Sequence, residues 1–123
     1  MHALVVDDSR AMRSILARLM TQLGFEVAQA GDGQEALDQL DAGLRPAVAL
    51  VDWNMPVMDG LAFIKAVRGR DEFRDMSLMM VTTESEHGNI VRALAAGAHE
   101  YVIKPFTEDV ITEKLALLGL VPA

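Results

Sequence analysis

Short apolar runs and longer stretches with helical spacing alternate along this chain. The runs are Ala3 to Val6, Phe25 to Ala30, Val48 to Val51, Ser77 to Thr82 and Tyr101 to Ile103. Each is closed by turn-forming or charged residues, as expected of a strand buried in a parallel sheet. The first ends at Asp7-Asp8-Ser9, where Ser9 predicts a helix N-cap. Met12, Ile15, Leu16, Leu19, Met20 and Leu23 follow at i, i+3, i+4, i+7, i+8 and i+11. That spacing predicts one apolar helix face, which Gly24 stops. Gly31-Asp32-Gly33 predicts a turn, and Gln34 to Leu40 a second helix that ends before Gly43 and Pro46.

Leu61 to Arg70 predicts a third helix, with Leu61, Ile64 and Val67 on one face. Asp71 to Asp75 is expected as a charged surface connection. Glu86 to Ala96 predicts a fourth helix that stops at Gly97. Thr107 caps a fifth, with Ile111, Leu115 and Leu118 on its inner face and Glu108 and Asp109 in its first turn. Strand and helix thus alternate five times. The pattern predicts an α/β fold of right-handed crossovers and a parallel sheet with helices on both faces.

The stretch Ala49 to Gly60 dominates the chain. Its apolar run ends at Asp52, and Asn54, Pro56 and Asp59-Gly60 forbid the strand from continuing. In open α/β sheets, ligands bind just outside the carboxyl ends of the strands. Four of the five strands end there in reactive side chains: Asp7-Asp8, Asp52, Thr82 and Lys104. Two carboxylates about 5 Å apart repel by roughly 3 kcal/mol at an effective dielectric near 20. A cation must offset that repulsion. Oxygen ligands without nearby His or Cys favour magnesium, manganese or calcium over zinc. Lys104 supplies an ammonium that can pair with a carboxylate or a phosphoryl oxygen, and Thr82 a hydroxyl donor. Together these groups suit phosphoryl transfer to a positioned carboxylate.

Composition narrows the field. One domain spanning 1–123 is expected, with no output domain after it, and 51% apolar residues suffice for its core. Eleven basic residues against eighteen acidic give a charge of −7, which argues against direct nucleic-acid binding. Without cysteine there is no disulfide framework. The N-terminus has neither the basic region nor the apolar length of a signal peptide or spanning helix, so a cytoplasmic protein is expected. No Gly-rich phosphate loop occurs. His2, His87 and His99 stand away from the strand ends that carry a nucleophile.

Asp7-Asp8, Asp52, Thr82 and Lys104-Pro105, in this order and spacing, resemble the receiver domain of two-component response regulators, and the likeness covers essentially the whole chain. The stretch Asp52 to Leu61 looks like that of stand-alone chemotaxis-type receivers. The resemblance implies a flavodoxin-like (βα)5 fold with strand order 2-1-3-4-5. It implies that Asp52 accepts a phosphoryl group from a sensor histidine kinase. Asp7, Asp8, Asp52 and Asn54 would hold Mg2+ (or Mn2+), with Asp7 acting through water and Asn54 through its carbonyl. Thr82 and Lys104 would bind phosphoryl oxygens, and the bond before Pro105 would be cis. Thr82 and Tyr101 would form the switch. The fourth helix, fifth strand and fifth helix would meet the partner through His87, Ile90, Val91, Tyr101, Ile103 and Lys114. That partner would be a downstream protein such as the flagellar motor switch. Asn54 and Glu84 would tune attack by water, giving a lifetime of seconds to minutes. A monomer is expected, with dimerisation on phosphorylation as the alternative.

Two other readings compete. One is a phosphorelay intermediate or phosphate sink. The other is a phosphatase with an Asp nucleophile, which would usually carry a second acid two positions after it, where this chain has Asn54. Thr83, His87, Glu108 and Asp109 depart from the chemotaxis-type pattern and bear on which partner is bound.

Overall fold

Uninterrupted apolar strands need cover on both sides, and the computed structural model shows how they obtain it. It describes residues 1–83 and 87–121, with only the backbone of His87. The strands are β1 (His2–Val6), β2 (Glu26–Ala30), β3 (Val48–Val51), β4 (Ser77–Thr82) and β5 (Glu100–Ile103). The helices are α1 (Arg10–Gln22), α2 (Gly33–Asp41), α3 (Gly60–Arg68), α4 (His87–Ala96) and α5 (Glu108–Leu117). All strand pairs are parallel, in the order β2-β1-β3-β4-β5. The expected flavodoxin-like architecture is therefore present.

Strand residues alternate between two cores, because successive side chains point to opposite faces. Leu4, Val6, Ala49, Val51, Leu78 and Met80 pack with α2, α3 and α4 residues such as Leu37, Phe63 and Ala93. Ala3, Val5, Val48, Leu50, Met79 and Val81 pack with Leu16, Met20, Ile111 and Leu115 of α1 and α5.

Local chemistry sets the helix starts. Ser9, Asp32, Asp59 and Thr107 each accept a backbone N–H through the side chain, capping α1, α2, α3 and α5. Asp32 and Asp59, read in the sequence only as turn formers, thus also begin helices.

Two expectations need correction. Ile15 is 53% exposed. The buried stripe of α1 runs through Leu16, Leu19 and Met20 and widens over Ala17, turning Ile15 to the rim. The connection after α3 is also no mere surface loop. Asp71–Phe73 forms a 3-10 turn that buries Phe73 beneath the Arg45 guanidinium, which lies 5.0 Å from the ring centroid. Arg68 holds this region together by donating to the carbonyls of Phe73, Met76 and Gly97 at 3.0, 2.6 and 3.2 Å. A Cβ at Gly97 would lie 2.5 Å from Arg68 Cγ, so the glycine makes room for that side chain.

Candidate functional site

The register brings the ends of β1 and β3 level, since Val6 pairs with Val51, while β4 runs two residues further, because Val51 pairs with Met80 and the strand ends at Thr82. Asp7 and Asp52, just past the ends of β1 and β3, therefore meet Thr82, the last residue of β4, over one edge of the sheet. Asp52 still belongs to the ladder, since its N–H donates to the Val6 carbonyl at 2.9 Å. Asp7 is held likewise by a 3.1 Å bond from its N–H to the Ala30 carbonyl. Both carboxylates thus stand on rigid backbone.

Their oxygens are specifically partnered. Asp7 Oδ1 accepts the Ser9 N–H at 2.8 Å, and Asp7 Oδ2 accepts from Lys104 Nζ at 2.7 Å. Asp52 Oδ1 accepts the Trp53 N–H at 2.8 Å, while Asp52 Oδ2 lies 3.8 Å from Lys104 Nζ. The Thr82 hydroxyl also hydrogen-bonds the Asp52 side chain. Lys104 reaches inward from the end of β5, where its N–H donates to the Thr82 carbonyl at 2.9 Å and its bond to Pro105 is cis. Asp7 is 1% exposed and Asp52 8%, and Thr82 is fully buried. Asp8 is exposed and opens onto a cleft lined with Asn54, Met55, Pro56 and Asp59.

Burial raises the Asp52 pKa above its ordinary value, because the charged form is desolvated. The Thr82 hydroxyl opposes this, the nearby Asp7 charge adds to it, and Lys104 and the Trp53 N–H oppose it again. One oxygen each from Asp7, Asp8 and Asp52 lies within 4.8 Å of the others. Three convergent carboxylates, two of them buried, fit a small hard cation with oxygen preference.

Several contributors carry little signal in the sequence. Gly60 begins α3 so close to β3 that a Cβ would lie 2.2 Å from the Asp52 carbonyl oxygen. Its N–H donates to the Trp53 carbonyl at 2.9 Å, fixing the turn after Asp52. Arg13 Nη1 donates to the Asp7 carbonyl at 2.7 Å from α1. Only the Asp-Gly pair at a helix start hints at Gly60.

The residues assigned to a partner surface spread over α4, β5 and α5. Val91 and Ile103 are exposed, while Ile90 and Tyr101 are half-buried, Tyr101 packing against the core on the α4 side. Lys114 pairs with Glu100 at 3.6 Å. Glu84 and the His87 side chain lie outside the described residues.

A fold with its strands in this order, and acids gathered over the β1 and β3 ends beside a lysine after β5, defines a class. The chain belongs to the response regulator receiver domain family, whose pattern it matches over residues 3–116. Individual relatives narrow the likeness. It is 43% identical over 119 residues to chemotaxis protein CheY1 of Helicobacter pylori, covering 96% of both chains. It is 45% identical over 116 residues to a chemotaxis protein CheY homolog of Campylobacter jejuni, covering 94% of this chain and 89% of that one. The structure of CheY4 from Vibrio cholerae superposes with a TM-score of 0.88 at 34% identity, covering 95% and 97%. No described helix is long and apolar enough to cross a membrane.

Proposed function

We propose that this chain is a stand-alone, cytoplasmic phosphorylation switch of the chemotaxis type, built as a single receiver domain, with Asp52 as phosphoacceptor. The observation that carries this is a buried Asp52 carboxylate anchored at a strand end, with two further acids and one lysine converging on it. The chemotaxis proteins to which the chain is similar support the same reading.

The donor is a phosphohistidine on a sensor histidine kinase. An Asp52 oxygen attacks phosphorus, the P–N bond breaks, and the imidazole leaves with that electron pair and takes up a proton. Asp7, Asp8, Asp52 and the Asn54 carbonyl would hold Mg2+, or Mn2+, which supplies charge neutralisation for the incoming phosphoryl oxygens. Lys104 and Thr82 bind those oxygens. Lys104 exchanges part of its pairing with Asp7 for the phosphoryl group, and Thr82 turns its hydroxyl from the carboxylate to the new acceptor. Asn54 and Glu84 govern attack by water, so the acyl phosphate lasts seconds to minutes.

The domain acts as a signalling element and catalyses only its own phosphorylation and dephosphorylation. Its output is a change of the α4-β5-α5 face, including Tyr101, toward a downstream protein such as the flagellar motor switch. Moving a switch from one part in a hundred active to ninety-nine requires about 5.5 kcal/mol of differential stabilisation.

The test is incubation with phosphoramidate and magnesium, followed by intact-mass spectrometry and peptide mapping. One phosphoryl group should be gained at Asp52 and none by Asp52→Asn. Gain at another residue, or no gain, removes the assignment. Binding of the candidate partner with and without beryllofluoride then separates a switch from a phosphate sink, which would show no change of affinity.

A further inference from the structure

Trp53 occupies an unusual position between the site and α4. Its backbone is locked on both sides: the N–H donates to Asp52 Oδ1 at 2.8 Å and the carbonyl accepts from Gly60 at 2.9 Å. Its side chain is buried in the core cluster that also contains Ala93 of α4. Over the indole lies the guanidinium of Arg92, with Cζ 5.8 Å from the ring centroid. A cation at that distance is attracted by the ring face. Arg92 is one helical step from Val91 and two from Ile90, on the helix that carries the proposed output face.

We propose that Arg92 is a positioning residue that couples α4 to the phosphoacceptor through Trp53. This rests on the phosphoacceptor reading of Asp52. The path is short and wholly covalent or in direct contact: the Asp52 carboxylate, the Trp53 N–H, the Trp53 ring, the Arg92 guanidinium and α4. A phosphoryl group on Asp52 takes one carboxylate oxygen into an acyl phosphate and changes what the Trp53 N–H has to donate to. Any adjustment of Trp53 moves the ring on which Arg92 rests. At its other end, α4 is held by the 3.0 Å bond from the Ala98 N–H to the Ala93 carbonyl and by Arg68 on Gly97. The Arg92 contact lies mid-helix, one residue before Ala93, and ties the body of α4 to Trp53. Within α4, Arg92 Nη1 also bonds Asn89 Oδ1 at 3.3 Å, which keeps the guanidinium extended along the helix.

The test compares wild type with Arg92→Lys, which keeps a cation, and Arg92→Met, which keeps apolar cover without charge. Each is titrated with beryllofluoride and magnesium. Bound fluoride is read by fluorine NMR, and the response of α4 by backbone amide shifts from Ile90 to Leu94. The single tryptophan adds its emission as a local reporter. Wild type and Arg92→Lys are expected to bind beryllofluoride and to move the α4 amides. Arg92→Met should bind it within about twofold of wild type, yet show about half the α4 shift or less, in line with the two- to fivefold bias such a contact gives. An unchanged α4 response in Arg92→Met overturns the coupling, as does a wild type that binds beryllofluoride without moving α4. A wild type that neither binds beryllofluoride nor gains a phosphoryl group overturns the phosphoacceptor reading, and with it the role given to Arg92.

Discussion

Lys104 leans on Asp7 rather than on Asp52: its ammonium lies 2.7 Å from Asp7 Oδ2 and 3.8 Å from Asp52 Oδ2. The lysine therefore neutralises the more deeply buried acid and leaves Asp52 with only part of a counter-charge. That arrangement suits the proposed role of Asp52 toward a metal ion and a phosphoryl group.

Lys104→Ala removes the partner of a carboxylate that is almost wholly buried. Stripping one member from a buried ion pair typically costs about 3 kcal/mol or more. Urea unfolding in metal-free buffer should show that loss, and millimolar magnesium should restore part of it by supplying the cluster with another cation. Labelling at Asp52 should persist while partner binding no longer responds to it. A variant as stable as wild type, or one that signals normally, would refute the role of the ammonium.

Asp52→Asn bears on the pH dependence of stability. Burial, with Asp7 adding to it, raises the folded-state pKa of Asp52 above the ordinary 3.8. The folded protein then holds this proton to a higher pH than the unfolded chain. The Asp52 contribution to stability is fully present below the unfolded pKa and is lost as pH rises through the folded one. Asn carries no such penalty. Without metal at pH 7, Asp52→Asn should melt about 2–4 °C above wild type, and the gap should close on acidification toward pH 4. A gap that widens on acidification would reverse the sign of the argument.

Gly60→Ala places a methyl group where the Asp52 carbonyl oxygen stands, at 2.2 Å. The neighbour is backbone and cannot swing aside, so β3 and α3 must separate. A loss of about 3 kcal/mol or more is expected, together with slower phosphoryl gain because the turn after Asp52 is displaced. Melting temperature and labelling rate measure the two effects separately.

Val57→Asn should stabilise the protein. Val57 has φ of 68° in the loop after Asp52, a left-handed conformation that its branched side chain resists. Its side chain is 83% exposed, so little packing is lost on replacement. Asn adopts this conformation more readily, and a gain of about 1 kcal/mol in unfolding free energy is expected. An unchanged or lower midpoint in urea would show that the strain is relieved elsewhere in the loop.

Every strand and helix was legible in the sequence to within two residues at its ends, because period and punctuation are local properties. The exceptions are instructive. Phe73 sits in a charged stretch that reads as surface, and only the packed fold shows Arg45 covering it. Ile15 obeys helical spacing, yet the sheet beneath α1 is aligned with the other side of its stripe. Asp7, Asp8, Asp52, Thr82 and Lys104 could be named as a group because an alternating fold sends successive strand ends to one edge.

The chain's own pattern determined an alternating α/β fold and gathered the reactive side chains at the ends of its strands. Strand order is not encoded locally, since any two parallel strands of apolar residues can pair; it came from resemblance and is settled by the assembled sheet. Tertiary structure alone decided which acid the lysine pairs with, how closely α3 approaches Asp52 and where Arg92 rests. These are distances between residues far apart in sequence, set by packing two cores against one twisted sheet, and no periodicity along the chain carries them.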